Sequence, residues 1–337
     1  MAEKKLLKKE SLGQLFEKLK SDGRRILAPR KKENQIAFEE VSSPEEIAKE
    51  YIQTTTSAKF TVFPPCEELL RYRFEDKEVQ IEDRKLDPPP TVIFGLRPCD
   101  AAGFSVLDAV FSWDYQDAFF QSRLEKTSVI GMSCNEADEY CFCTSVGGGP
   151  GNTKGSDILL TRLGSGDYLA EIITDKGEEI VSLAPDLFGP APSDQKDEFL
   201  AEVPVRFEHK ELTTKLGAFF DNDLWVEQSL RCVGCGACAF VCPVCVCFDI
   251  QDEADKNGGT RLRCWDSCGF SLFTLHTSGH NPREVQSQRW RQRVMHKFSY
   301  LPDRFEIVGC VGCGRCARSC PADMNLVEHL KEIVETK

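Results

Sequence analysis

C-V-G-C-G-A-C-A-F-V-C-P at residues 232–243 and C-V-G-C-G-R-C-A-R-S-C-P at residues 310–321 are two copies of one pattern. Each reads C-x2-C-x2-C-x3-C-P, the run that binds [4Fe–4S] clusters in bacterial ferredoxins. Three closely spaced thiolates wrap three corners of one cubane, and small glycines let the backbone come near the sulfides. The fourth cysteine, just ahead of the proline, ligates the other cluster. That logic assigns Cys232, Cys235, Cys238 and Cys320 to one cluster, and Cys310, Cys313, Cys316 and Cys242 to a second. Zinc also accepts four thiolates, but its sites usually join two C-x2-C pairs and lack a triplet followed by C-P.

The two runs stand 67 residues apart, a longer insert than a compact β-type ferredoxin carries. Apolar residues at helical spacing in 208–230 and 322–335 favour a helical ferredoxin instead. Residues 232–248 are uncharged for 17 positions, yet they hold six cysteines, two glycines and Pro243. They read as a buried metal site and not as a membrane span, which needs about 20 apolar residues.

Working back towards the N-terminus, the cysteines thin out. Twelve of the 17 follow residue 230, and five precede it: Cys66, Cys99, Cys134, Cys141 and Cys143. Pro185, Pro190, Pro192 and Pro204 and the stretch A-P-S-D-Q-K-D-E mark a linker between the two groups. The chain of 337 residues therefore divides into an α/β domain, 1–200, and a mostly α-helical ferredoxin-type domain, 201–337.

In the first domain, T-V-I-F-G-L (91–96) and S-V-I-G-M-S (128–133) read as buried strands. Asp100 can cap a helix between them that carries Phe104, Leu107, Val110 and Phe111 on one face, which completes a βαβ unit. Residues 157–162 and 168–174 read as a hairpin. Cys99 and Cys134 follow the two parallel strands, at the edge where ligand sites of open α/β sheets form. Cys141 and Cys143 follow in the same loop. These four thiols suit a third [4Fe–4S] cluster, with Asp100 as an alternative ligand.

Cys245, Cys247, Cys264 and Cys268 could hold a fourth metal, but the simpler reading is packing beside the clusters. Cys66 reads as a packing residue. V-G-G-G-P-G (146–151) lacks the G-x-G-x-x-G spacing of a dinucleotide site and reads as a turn, which can press the backbone against the third cluster. R-E-V-Q-S-Q-R-W-R-Q-R-V-M-H-K (283–297) reads as a docking surface, as positive charge near a cluster, or as a solvated helix face. His276 and His280 are four apart, but Gly279 and Pro282 point to a turn.

The charge balance is −12, from 42 Lys+Arg against 54 Asp+Glu, which disfavours nucleic acid as a partner. Residues 1–32 carry eleven basic and four acidic residues with no apolar run after them, unlike a secretory leader. A cytoplasmic, reducing location is expected, where thiols serve metals or catalysis.

Together, F-G-L-R-P-C-D-A-A-G, S-C-N-E-A-D-E-Y-C-F-C-T-S-V-G-G-G-P, C-P-V-C-V-C-F-D and W-D-S-C with S-G-H-N-P-R resemble the iron–sulfur beta subunits of cytoplasmic sulfhydrogenases and the related iron–sulfur subunits of anaerobic sulfite reductases. The resemblance runs from about residue 15 to the end. It implies an electron-transfer subunit between an FAD- and NAD(P)-binding flavoprotein and a catalytic partner, either a hydrogenase or a sulfur-compound reductase. It also supports the third cluster. The rival is a redox enzyme whose N-terminal cluster keeps one iron open to substrate.

Overall fold

The computed structural model describes residues 2–193 and 196–336. Twelve strands are present among them: β1 (Glu3–Leu7), β2 (Arg25–Lys32), β3 (Gln35–Glu40), β4 (Cys66–Glu75), β5 (Glu78–Asp83), β6 (Thr91–Leu96), β7 (Thr127–Met132), β8 (Ile158–Arg162), β9 (Tyr168–Ile172), β10 (Phe188–Pro190), β11 (Phe248–Asp255) and β12 (Gly258–Trp265). The α-helices are α1 (Leu12–Ser21), α2 (Pro98–Phe111), α3 (Ala118–Glu125), α4 (Asp175–Leu183), α5 (His209–Leu216), α6 (Leu224–Ser229), α7 (Ala237–Phe240), α8 (Gln286–Met295), α9 (Leu301–Phe305), α10 (Arg315–Arg318) and α11 (Leu326–Glu335).

Eight strands form one sheet in the order β10-β1-β9-β8-β7-β6-β2-β3. Its centre, β2-β6-β7-β8, is parallel, and β9, β1, β10 and β3 add to it antiparallel. All six residues of β6 are buried, as expected for a strand covered on both faces. Val92 and Phe94 face Leu12, Leu15, Phe16 and Leu19 of α1 and Ile180 of α4. Ile93 and Leu96 face Phe104 and Leu107 of α2 and Phe120 of α3. Alternation over Val92–Phe94 serves two cores at once, and the irregularity at Gly95 turns Leu96 into the second. The unit β6-α2-α3-β7 is the expected βαβ crossover, and β8-β9 is the expected hairpin.

The second half departs from expectation. It is not mostly α-helical: β11 and β12 form a long hairpin between the two cysteine runs. That hairpin joins β4 and β5 in a second sheet, β11-β12-β4-β5. The sheet therefore takes strands from both sides of residue 200. Its cause is cross-strand pairing between segments far apart in sequence. Arg263 of β12, buried, reaches Glu67 of β4 at 2.8 Å and also pairs with Asp117 at the start of α3. Cys66 and Cys264 are register partners on β4 and β12 and are joined as a disulfide, so Cys66 is more than a packing residue.

The proline-marked stretch is also less loose than expected. β10 pairs with β1, and Ala201 donates its N–H to the Cys134 carbonyl at 2.8 Å. Asp194 and Gln195 of the expected linker lie outside the described residues. Among the described residues, no helix is long and apolar enough to cross a membrane.

Candidate iron–sulfur sites

The two C-x2-C-G runs adopt the same backbone. Gly234 and Gly312 both have φ +67°, and Gly236 and Gly314 have φ +75° and +72°. These are left-handed conformations that favour glycine. Each run then opens a short helix, α7 or α10, with its second glycine at the N-terminus. The glycines also admit close neighbours. A Cβ on Gly312 would lie 2.4 Å from the Cys143 nitrogen, and one on Gly314 would lie 2.4 Å from the Tyr140 oxygen. In the first run, Gly236 packs on Phe270 and Ser267, which flank Cys268. Each run is therefore pressed against another cysteine-bearing loop.

The fourth cysteines cross over. Cys320, from the second run, lines one cavity with Cys232, Cys235 and Cys238 of the first. Cys242, from the first run, packs with Val311 and Cys313 of the second. Cys268 and Cys316 line the first cavity as well. Cys235 is the exposed cysteine of the first set, whereas Cys242 and Cys313 are buried.

The N-terminal cysteines come together at the carboxyl ends of β6 and β7. The Cys99 thiol is pushed up by burial, then by the charges of Asp100, Cys313 and Cys134. Burial is the main cause that raises Cys134 to about 11 and Cys143 to about 12, and the charge of neighbouring Cys141 contributes to both. The Cys143–Gly312 contact joins this group to the second run, and the Phe142 N–H donates to the Gly312 carbonyl at 3.0 Å. Arg318 of α10 holds Asp138 at 3.0 Å and donates to Cys141 Sγ at 3.4 Å. The G-G-G turn lies on the same group: a Cβ on Gly148 would stand 3.2 Å from the Cys143 carbonyl.

Asp100 does not cap α2, and both of its carboxylate oxygens are engaged. Arg315 of α10 binds its two carboxylate oxygens, each at 2.5 Å, and also donates to Thr54. The α2 N-cap is Arg97.

The residues fit anionic sulfur clusters on grounds of charge. Lys59, Arg293 and Lys297 are 2%, 5% and 4% exposed, and among the described residues none forms an ion pair with a carboxylate. Lys59 donates to the Cys245 carbonyl, and the other two reach sulfur. Lys297 donates to Cys242 Sγ at 3.4 Å, and Arg293 to Cys245 Sγ at 3.6 Å. Burial alone would push both cations towards neutrality, but neighbouring cysteines, Cys242 for Lys297 and Cys238 for Arg293, hold them above their ordinary values. Buried cations need a partner charge. Further donors reach sulfur from Gln53 to Cys99 at 2.9 Å, Gln286 to Cys232 at 3.1 Å and the Met324 N–H to Cys320 at 3.3 Å. Hydrogen bonds of this kind tune a cluster's potential. Among the described residues, no three His, Cys, Asp or Glu side chains converge closely enough for a single metal ion, whereas a cubane spreads its ligands over four corners.

Sequence reasoning missed Lys59. For the basic stretch 283–297, positive charge near a cluster was one expectation beside a docking surface and a solvated face, and Arg293 and Lys297 do meet cysteine sulfur. Arg289, Arg293 and Lys297 face inward, four residues apart on α8 and the π-helical turn that extends it. That spacing, interleaved with Trp290 and Val294, was the available signal. His276 and His280 do form a turn, in which the His276 N–H donates to the His280 carbonyl.

A family model described as 4Fe-4S dicluster domain matches residues 231–324. The chain is 31% identical over 337 residues, covering 98% of each protein, to a protein named sulfhydrogenase 2 subunit beta from Pyrococcus furiosus. No solved structure matches the chain. With a relative at this identity over nearly its whole length, and with paired ferredoxin-type runs folded as described, the chain belongs to the family of iron–sulfur beta subunits of sulfhydrogenases.

Proposed function

We propose that the protein is the electron-transfer subunit of a cytoplasmic multi-subunit oxidoreductase, working between an FAD- and NAD(P)-binding flavoprotein and a hydrogenase or sulfur-compound reductase. Cys232, Cys235, Cys238 and Cys320 hold one [4Fe–4S] cluster, Cys310, Cys313, Cys316 and Cys242 a second, and Cys99, Cys134, Cys141 and Cys143 a third. When bound, such clusters supply one-electron transfer at potentials set by ligand, charge and burial.

Contiguity of the three thiol groups supports this reading. Cys316 stands at the cavity of the first group, while Gly312 on the same loop touches Cys143 of the third. The second run is thus the middle of a file, with the exposed Cys235 at one end. Lys297 and Arg293 balance the buried thiolates of that file, and Arg315 and Arg318 lock its middle to its far end.

No observation favours the rival in which Asp100 fills a corner of the third cluster, because Arg315 already occupies its carboxylate. The test is anaerobic purification from the native host. A flavoprotein and a catalytic redox subunit should accompany the chain, and NAD(P)H should reduce its iron only when the flavoprotein is present. A chain that purifies alone and acts on substrate unaided would overturn the proposal.

A further inference from the structure

Cys245, Cys247 and Cys268 are assigned to none of the three groups above, though the Cys245 thiol hydrogen-bonds with Cys242 of the second. Strand pairing brings them together: Phe248 is the register partner of Trp265, and the Asp266 N–H donates to the Cys247 carbonyl at 2.9 Å. The chain turns there and returns Cys268 to Cys247, whose thiol hydrogen-bonds to it, while the Cys245 charge acts on both. Cys264, which could have completed a set of four, is instead paired with Cys66.

The surroundings suit an anion larger than a lone thiolate. Lys59 donates to the Cys245 carbonyl at 2.9 Å; burial pushes its ammonium below the ordinary value, and the Cys245 charge works against that shift. Arg293 approaches Cys245 from α8. The Trp265 ring lies 4.0 Å from the Lys59 ammonium, and its indole N–H is buried without an acceptor. Two cations without carboxylates therefore meet at Cys245, with an unused donor on the ring beside one of them. Sulfide-rich clusters offer both the negative charge and the acceptors.

We propose that Cys245, Cys247 and Cys268 bind a fourth iron–sulfur cluster through three thiolates, with a non-cysteine group completing its ligation. The inference rests on the electron-transfer reading, in that it takes these sulfurs to be cluster ligands. Cys268 also lines the cavity of the first group, so the fourth site adjoins the exposed end of the file.

The test compares full-length wild-type chain with the C245S/C247S/C268S variant, both purified anaerobically in their complex. The variant should carry about four fewer iron and four fewer acid-labile sulfide per chain. Its first- and second-site electron paramagnetic signals should persist. C66A/C264A should keep the full count. Equal iron in variant and wild type overturns the proposal, as does loss of the first-site signal, which would make these thiols part of that cluster. Differential alkylation of native wild-type protein does not depend on the variant folding. All three thiols should be protected until iron is chelated. Free reaction, or a Cys247–Cys268 disulfide, sinks the fourth site. Iron absent from wild type and variant alike would overturn the electron-transfer reading itself.

Discussion

Asp100 and Arg315 form an ion pair in which the side chains are 2% and 1% exposed, and it ties the residue after Cys99 to the heart of the second ferredoxin-type run. The contact spans 215 residues of sequence and closes the seam between the large sheet and the cysteine-rich half. Removing one partner of such a pair strands a buried charge, which costs about 3–5 kcal/mol. Asp100→Ala and Arg315→Met should each lower the thermal unfolding midpoint markedly. Asp100→Leu with Arg315→Met should recover much of the loss. Asp100→Asn should keep its third-site iron, because the carboxylate is committed to arginine. Loss of that iron with the fold intact would make Asp100 a ligand.

Lys297 places a buried positive charge 3.4 Å from Cys242 Sγ. A nearby cation stabilises the more negative, reduced state of a cluster. Lys297→Met, similar in length and uncharged, should lower the second-site midpoint by several tens of millivolts in an anaerobic redox titration. An unchanged midpoint would show that the cation only fills space.

Gly234 and Gly312 share φ +67° but differ in their neighbours. At Gly234 the nearest atom to a new Cβ is the movable Gln286 Oε1 at 3.3 Å, whereas at Gly312 it is the Cys143 nitrogen at 2.4 Å. Gly234→Ala should cost about 1–2 kcal/mol, the ordinary penalty of the left-handed region. Gly312→Ala adds a backbone clash and should deplete third-site iron. Equal effects from the two substitutions would contradict the contact between Gly312 and Cys143.

Cys320 lies in the second run but lines the cavity of the first. Cys320→Ser should therefore disturb the same spectral signal as Cys232→Ser, and Cys242→Ser the same signal as Cys310→Ser. Pairing by run instead, Cys320 with Cys310 and Cys242 with Cys232, would mean that each run closes its own cluster.

The elements legible in the sequence were those whose signal is local. The spacing of the cysteine runs, the apolar β6 and β7 and the β8-β9 hairpin each declare themselves within a couple of dozen residues. The second sheet did not. All residues of β5 and β11 are exposed, so neither carries the alternation of a half-buried strand. They persist through ladders to β4 and β12, which distant sequence supplies. The division near residue 200 rested on acidic and proline-rich composition, a local signal, and could not register that β4 and β12 pair across it. Lys59 and Arg315 were invisible as site residues because a lone cation in sequence says nothing about the sulfur or carboxylate it meets after folding.

Mössbauer spectroscopy with iron and acid-labile sulfide analysis, on chain purified without oxygen, bears most directly on the central claim. Three clusters require [4Fe–4S] signatures, at least about twelve iron per chain and a matching amount of sulfide. Tightly bound zinc with neither iron nor sulfide would contradict them.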